Sequence, residues 1–194
     1  MNPRSGCVGL LNFILLQVSA VSIAGCVRIP AMGGPSTDGR LPVVEPGRVA
    51  EKVGEYGGDI INGLGIEGGF DNPNVSPMLC GDASSAKRVL GRNPNRDTWW
   101  VDHSPYSEGM ITYVEVPSEG AINEALVRLK AVLERSGWKT VEFGLGSSTE
   151  QAVLSVAAPE KGYGAVLQGI TSVPGHPRIG VDISSPCVRH PGAR

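Results

Sequence analysis

The sequence predicts a two-layer α+β domain in which one or two helices cover a mostly antiparallel sheet of about four to six strands. Two observations predict this fold. One is a well-formed amphipathic helix pattern in the middle of the chain, and the other is a set of Val- and Ile-rich runs around it, bounded by Gly, Pro, Ser or Asp. With 194 residues, of which 41% are hydrophobic, the chain can form one domain of modest size.

Two segments are predicted to be helical. The clearer one begins after Ser118, which can cap it, carries a continuous apolar stripe, and ends at Gly137, where a left-handed residue closes a helix. The earlier one covers Pro46–Leu64 and has apolar residues at intervals of three or four, although each glycine in it costs about 1 kcal/mol relative to alanine. Residues 65–77 are rich in Gly, Asn and Pro and are predicted to be a loop.

The strands are predicted on both sides of the second helix. The last of them shows the clearest pattern, because Ile179, Val181 and Ile183 alternate with Gly180 and Asp182, as in a strand with one buried face. The other runs have a similar composition and similar boundaries. The predicted strands are residues 99–103, 110–116, 140–144, 151–157, 164–170 and 178–183.

Residues 1–25 are typical of a secretory signal peptide, because Arg4 precedes a short apolar stretch that ends in small residues. Two amides within this stretch argue against a stable transmembrane helix. The tetrapeptide Ile-Ala-Gly-Cys at positions 23–26 resembles the bacterial lipobox. The resemblance implies that Cys26 is diacylglyceryl-modified on sulfur and becomes the mature N-terminus. Ordinary secretion with cleavage after Ala24 is the alternative.

The rest of the chain is predicted to have three parts. Residues 26–44 are a flexible tether rich in Gly and Pro, residues 45–187 are the domain, and residues 188–194 are a C-terminal tail. The tether would join the domain to a lipid anchor on the extracytoplasmic face of the cell membrane. The 17 basic and 19 acidic residues give a net charge of −2, so a strongly basic nucleic-acid-binding protein is excluded.

The four cysteines predict one disulfide bond. Cys7 leaves with the signal peptide and Cys26 is modified by lipid, so Cys80 and Cys187 remain in an exported chain, where disulfides persist. We therefore expect these two cysteines to pair. Free thiols or a metal site are the alternatives, although no Cys-x-x-Cys occurs and no histidine lies at ligand spacing from either cysteine.

Several short features follow one another along the chain. They are the lipobox, the early helix, Leu79-Cys80, the helix closed by Gly137, Gly162-Tyr163 before a strand, and a last strand that leads to Cys187. In this layout the chain resembles the small LppA-type lipoproteins of mycobacteria and related actinobacteria. The resemblance implies an exported lipoprotein of uncharacterised function, and it transfers no catalytic residue.

Motifs for catalysis are weak. Ser84-x-x-Lys87 matches the acylating motif of penicillin-binding enzymes, but the Ser-Asp-Asn and Lys-Thr-Gly motifs of that family do not occur. Asp102, His103 and Ser104 supply an acid, a base and a nucleophile, yet strand neighbours point to opposite faces and are not expected to form a relay. Three scattered histidines make a metal site improbable, and no cofactor is expected.

Trp99 and Trp100 are the residues best suited to a binding surface. On a strand the two rings face opposite sides, so one can pack under the helices while the other stacks on a sugar ring or a partner protein. The alternative is that Trp138, the termini or the first helix cover the second ring.

Together these features predict a lipid-anchored exported protein that binds an envelope glycan or protein partner and is not an enzyme. One alternative is a small envelope hydrolase, which needs Asp102 or His103 within reach of a nucleophile such as Ser84. Another is an accessory subunit of a membrane complex.

Overall fold

The computed structural model describes residues 41–66, 74–80, 87–89, 101–146, 151–172 and 174–193. These residues form two helices and eight strands, of which six strands make one sheet and two make a short separate ladder. In chain order they are α1 (Pro46–Leu64), β1 (Asn74–Leu79), β2 (Lys87–Arg88), β3 (His103–Ser104), β4 (Tyr106–Glu115), α2 (Glu119–Arg135), β5 (Lys139–Leu145), β6 (Ala152–Ala157), β7 (Gly164–Ile170) and β8 (Arg178–Ser184).

The large sheet has the strand order β1-β4-β8-β7-β6-β5, and every neighbouring pair is antiparallel. Strands β5 to β8 follow one another as a meander. Helix α2 connects β4 to β5 and thereby crosses over the three strands between them. Both helices contact the sheet, α1 chiefly at β4 and α2 chiefly at β6. The predicted α+β fold, with two helices on an antiparallel sheet of up to six strands, is confirmed.

The main core lies between the helices and one face of the sheet. Alternate residues of β8 point into it, so Ile179, Val181 and Ile183 are at most 1% exposed. From the helices, Ile60 and Leu129 enter the same core and are fully buried. The alternation that predicted β8 therefore identifies its buried face correctly.

Helix α1 has the predicted bounds, although it contains several glycines. One of them, Gly57, lies against the sheet, and a Cβ at this position would overlap the thioether of Met110 on β4, which would then have to move. The glycine therefore allows the helix to pack closely on the sheet. A Cβ built on Gly54 would meet no atom within 4 Å, so close packing does not depend on this glycine. The helix ends at Gly65, which has a left-handed φ of 59°.

Helix α2 begins and ends as predicted. The Ser118 hydroxyl accepts a hydrogen bond of 3.3 Å from the N–H of Ala121. Gly137 has a φ of 88°, and the N–H of Trp138 donates to the Leu133 carbonyl at 3.0 Å. The chain thus folds back, and the Trp138 ring is buried in the main core.

Three predicted boundaries change. Of the predicted strand 99–103, residues 101 and 102 are not strand, and β3 covers His103–Ser104. Residues 74–77, predicted to be loop, belong to β1, which pairs with β4 at the edge of the sheet. An edge strand tolerates Pro77, because one side of such a strand needs no ladder hydrogen bond, and most of its side chains are exposed. Its composition therefore looks like that of a loop. Strand β4 also begins at Tyr106, earlier than the predicted residue 110.

The C-terminal residues that we expected to form a tail pack against the domain. Val188 and His190 are buried, and the backbones of Tyr106 and Val188 exchange two hydrogen bonds of 2.9 and 2.8 Å. The N–H of Arg189 donates to the Pro42 carbonyl at 2.8 Å, so the end of the expected tether also contacts this segment. Both segments lack local periodicity, and their order comes from contacts with distant residues.

Candidate functional site

The disulfide bond joins the two halves of the chain beside the sheet. Cys80, directly after β1, is bonded to Cys187, which follows β8, and their Cα atoms are 5.8 Å apart. The pairing predicted from the cysteine count is confirmed. Because β1 and β8 lie on either side of β4, the bond ties three neighbouring strands to the C-terminal segment. Cys7 and Cys26 lie outside the described residues.

The sheet face opposite the helices, which we call the open face, carries a depression lined by residues of three neighbouring strands. The register places Ile111, Asp182 and Val166 side by side on β4, β8 and β7. Tyr113 and Gln168 flank Gly180 in the next row. This depression of about 240 Å³ lies over these rows. The side chains that shape it are those of Ile111, Tyr113, Val166, Gln168, Ile170 and Asp182.

The shape of the depression depends on Gly180. A Cβ at this position would lie 3.1 Å from Cδ1 of Ile170 and 3.6 Å from Cε1 of Tyr113. These two side chains therefore lean over the glycine from the strands on either side. The absence of a side chain on β8 between them leaves the floor of the depression low, and Ile111 at its rim is 57% exposed.

Asp182 is the acidic group of the depression. Its register neighbours Ile111 and Val166 are apolar, and burial raises the pKa of its carboxyl above the ordinary value. The carboxylate makes no hydrogen bond or ion pair in the described part of the chain. The site therefore holds an acidic group that is partly removed from water and has no counter-ion among the described residues.

The other polar groups around the depression are engaged with one another. The guanidinium carbon of Arg178 lies 4.6 Å from the centroid of the Tyr113 ring, a cation–π contact. The Gln168 amide donates to Oε1 of Gln151 at 2.7 Å. These contacts orient the walls of the depression and leave Asp182 as its uncompensated charge.

Asp102 and His103 are in contact, which corrects the expectation for this sequence. Nδ1 of His103 lies 2.9 Å from Oδ1 of Asp102. Asp102 precedes β3 and is outside the strand, so the alternation that would separate the two side chains does not apply. Nε2 of His103 is buried without a hydrogen-bond partner. The hydroxyl of Ser104 instead accepts a hydrogen bond of 3.1 Å from the backbone N–H of His190. A three-residue relay is therefore not formed.

The remaining candidate residues from the sequence form no site within the described part of the chain. Trp99, Trp100 and Ser84 lie outside this part. His176 is exposed in a turn between β7 and β8. The described residues contain no group of three or more His, Cys, Asp or Glu that could hold a metal ion. Among the helices described, none is long and apolar enough to cross a membrane.

A larger groove of about 720 Å³ lies beside the start of α1. Its lining contains acidic and basic side chains in nearly equal number, and Lys52 Nζ is 2.9 Å from Oε2 of Glu55. Residues 42–44, where the described chain enters the domain, form one wall. Because the acidic and basic side chains of the lining nearly balance in number, the groove has less net charge to select a ligand than the depression around Asp182. The charged residues are Glu45, Arg48, Glu51, Lys52, Glu55, Glu160 and Lys161.

Sequence reasoning did not identify the residues of the depression as a site. The signal was present in the alternation of β7 and β8, where Val166, Gln168, Ile170 and Asp182 occupy the positions that face away from the core. An outward set in which apolar residues surround one acid differs from an ordinary solvated face. Only the strand order, however, places β4 next to β8 and brings Tyr113 to the same surface.

Comparison with known proteins adds no further constraint. No protein-family model matches this chain, and no curated protein matches it.

Proposed function

We propose that this protein is a lipid-anchored exported module that binds an envelope component, a glycan or a protein, without catalysing a reaction. Cys26 carries the lipid, and the open face is the binding surface. The observation that supports the binding role is the depression around Asp182. A concave, mostly apolar surface with a few converging polar groups is the usual construction of a ligand site.

The disulfide supports export. Disulfides persist outside the cytosol and are rare within it. Pairing of Cys80 with Cys187 also uses the two cysteines that lie beyond the proposed lipid attachment site. Cys26 is then the one cysteine of the mature chain that is available for acylation, in agreement with the lipobox around it.

The length between anchor and domain suits a role at the envelope. Fourteen residues separate Cys26 from Leu41, the first described residue. Fully extended, they would span at most about 50 Å. The domain would therefore be able to reach components well above the lipid headgroups while it stays attached to the membrane.

The anchor is tested by replacing Cys26 with alanine and measuring membrane attachment and intact mass in a bacterial host that processes lipoproteins. We expect the wild-type protein in the membrane fraction, with the mass of a chain that begins at residue 26 and carries acyl groups. Cys26→Ala should lose both properties. Cys7→Ala, in the signal peptide, is the matched control and should be modified normally. An unmodified Cys26 on an intact leader would refute the anchor.

The binding face is tested by photocrosslinking in intact cells. The residue p-benzoylphenylalanine replaces Ile111 on the open face or, as a control, Val127, which is 47% exposed on α2. We expect a discrete adduct from position 111 and none from position 127, because only the open face engages a partner. Adducts from both positions alike, or from neither, would contradict binding through this face.

A small envelope hydrolase is the second candidate, and the Asp102–His103 contact favours it. An acid that orients a histidine through Nδ1 leaves Nε2 as the base for a nucleophile. Reaction with a fluorophosphonate reagent tests this candidate. A hydrolase would be labelled, and Ser84→Ala and His103→Ala would each abolish labelling. An unlabelled wild-type protein would exclude a serine hydrolase and favour the binding module.

A further inference from the structure

We propose that the depression on the open face binds an envelope component that presents a primary ammonium group on a compact apolar body, with Asp182 as the partner of the ammonium group. This inference rests on the proposed function, because it names the ligand class for the same face. It is carried by three features of the depression, which are a carboxylate without a counter-ion among the described residues, the engagement of Arg178 with an aromatic ring, and apolar walls.

The carboxylate is the first feature. Asp182 lies between Ile111 and Val166 in the register of three strands and is partly removed from water. It accepts no hydrogen bond and forms no ion pair with a described residue. A carboxylate in such a position interacts more strongly with an opposite charge than one in open water, because the effective dielectric constant is lower. A cationic ligand gains this interaction, and an anionic ligand is repelled.

The second feature is the position of Arg178, the cation that shares β8 with Asp182. The backbones of the two residues are four positions apart, about 13 Å along the strand. The guanidinium group of Arg178 is stacked on the Tyr113 ring at 4.6 Å and forms no ion pair with Asp182. It therefore occupies one face of the aromatic ring. The cation of a ligand is directed to Asp182 and not to Tyr113.

The third feature is the apolar surface around the carboxylate. The side chains of Ile111, Tyr113, Val166 and Ile170 form the walls, and Gly180 keeps the floor low between them. A volume of about 240 Å³ accommodates a body about the size of a six-membered ring with a short arm. A strongly hydrated cation such as a bare metal ion would leave these walls in contact with water. An amine on a hydrocarbon body uses both the walls and the charge.

Phenethylamine and 2-phenylethanol are matched probes, because they have similar size and shape and differ in charge. Chemical-shift titration of the isotope-labelled domain at pH 7 measures the affinity of each probe and the residues that it perturbs. We expect saturable binding of phenethylamine with shifts at residues 111, 113, 166 and 182, and about tenfold weaker binding of 2-phenylethanol. Asp182→Asn should lower the amine affinity to that of the alcohol.

Two further variants complete the experiment. Asp59→Asn removes an exposed acid from α1 and is the matched control, so the amine affinity should not change. Val166→Lys places a cation beside Asp182, in register with it, and should abolish amine binding even if Asp182→Asn perturbs the sheet. Retained amine binding in Val166→Lys would refute the proposal.

The result also separates this inference from the proposed function. Equal binding of the two probes at the open face would overturn the ammonium specificity and leave the face as a binding surface. Absence of saturable amine binding would overturn the ligand class as well, while the crosslink from position 111 would still report on the partner. Unchanged amine affinity in Asp182→Asn would show that Asp182 is not the anion partner and would overturn the inference.

Discussion

The two faces of the large sheet are built from the same strands but meet different surroundings. On β8, Ile179, Val181 and Ile183 are buried beneath the helices, whereas Gly180 and Asp182 between them face the depression. One face is packed to exclude water over a continuous apolar cluster, and the other retains a concavity. A single alternating pattern therefore specifies a stable core on one face and a concave outer surface on the other, because successive side chains of a strand point in opposite directions.

Two carboxyl groups show the same difference. Glu108 on β4 is fully buried, and both of its carboxylate oxygens lack a hydrogen-bond partner. Burial raises the pKa of this group from 4.5 to about 7. Burial also raises the pKa of Asp182 on the neighbouring strand, but this carboxyl group faces a depression that is open to solvent. The covered acid influences folding stability, and the open acid is available for binding.

The largest expected difference between the faces is in the cost of truncating a side chain. Leu167→Ala removes a fully buried side chain from the core and should lower the free energy of unfolding by about 2–5 kcal/mol. Ile111→Ala on the open face should cost less than about 1 kcal/mol, because this side chain is largely exposed already. Urea unfolding of both variants measures the difference. Similar losses would mean that another part of the protein covers the open face.

The second expected effect is the pH dependence caused by Glu108. Its raised pKa means that the folded state binds the proton more tightly than the unfolded state, so this stabilisation is complete below about pH 4.5 and is lost as the pH rises through about 7. Glu108→Gln should therefore be more stable than wild type at pH 8, by on the order of 2 kcal/mol, and similar to it at pH 4.5.

Urea unfolding at the two pH values checks this prediction. Glu142→Gln on the exposed strand β5 is the control, and its difference from wild type should not change with pH. If Glu108→Gln gave the same difference at both pH values, the buried carboxyl would have an ordinary pKa in the folded protein.

The smallest expected effect is the change in stability when either of two glycines on α1 is replaced by alanine. Gly57→Ala places a methyl group against the thioether of Met110, which can partly give way, and should destabilise the domain by about 1 kcal/mol. Gly54→Ala enters open space in the same helix and should stabilise it by about 0.5–1 kcal/mol, because alanine has the higher helix propensity. The midpoint temperatures of thermal unfolding of the two variants should shift in opposite directions from that of the wild type. A shared direction would mean that the helix does not pack on the sheet through Gly57.

By itself, the sequence determined the features that depend on neighbouring residues. Capping at Ser118, the left-handed residue Gly137 and the period of apolar residues identified both helices, and alternation identified β8, because these signals act within a few residues. The Cys80–Cys187 pair was predicted from the cysteine count together with the lipobox resemblance, which assigned Cys7 and Cys26 to other roles, and the pair is present in the structure.

Only the tertiary structure decided how distant segments meet. The edge strand β1 has the composition of a loop and is ordered by its pairing with β4. His190 is buried by contacts with residues more than 80 positions away. The depression exists because Ile111, Asp182 and Val166 come into register on three strands. Register and strand order follow from burial summed over the whole sheet, and no local pattern contains that information.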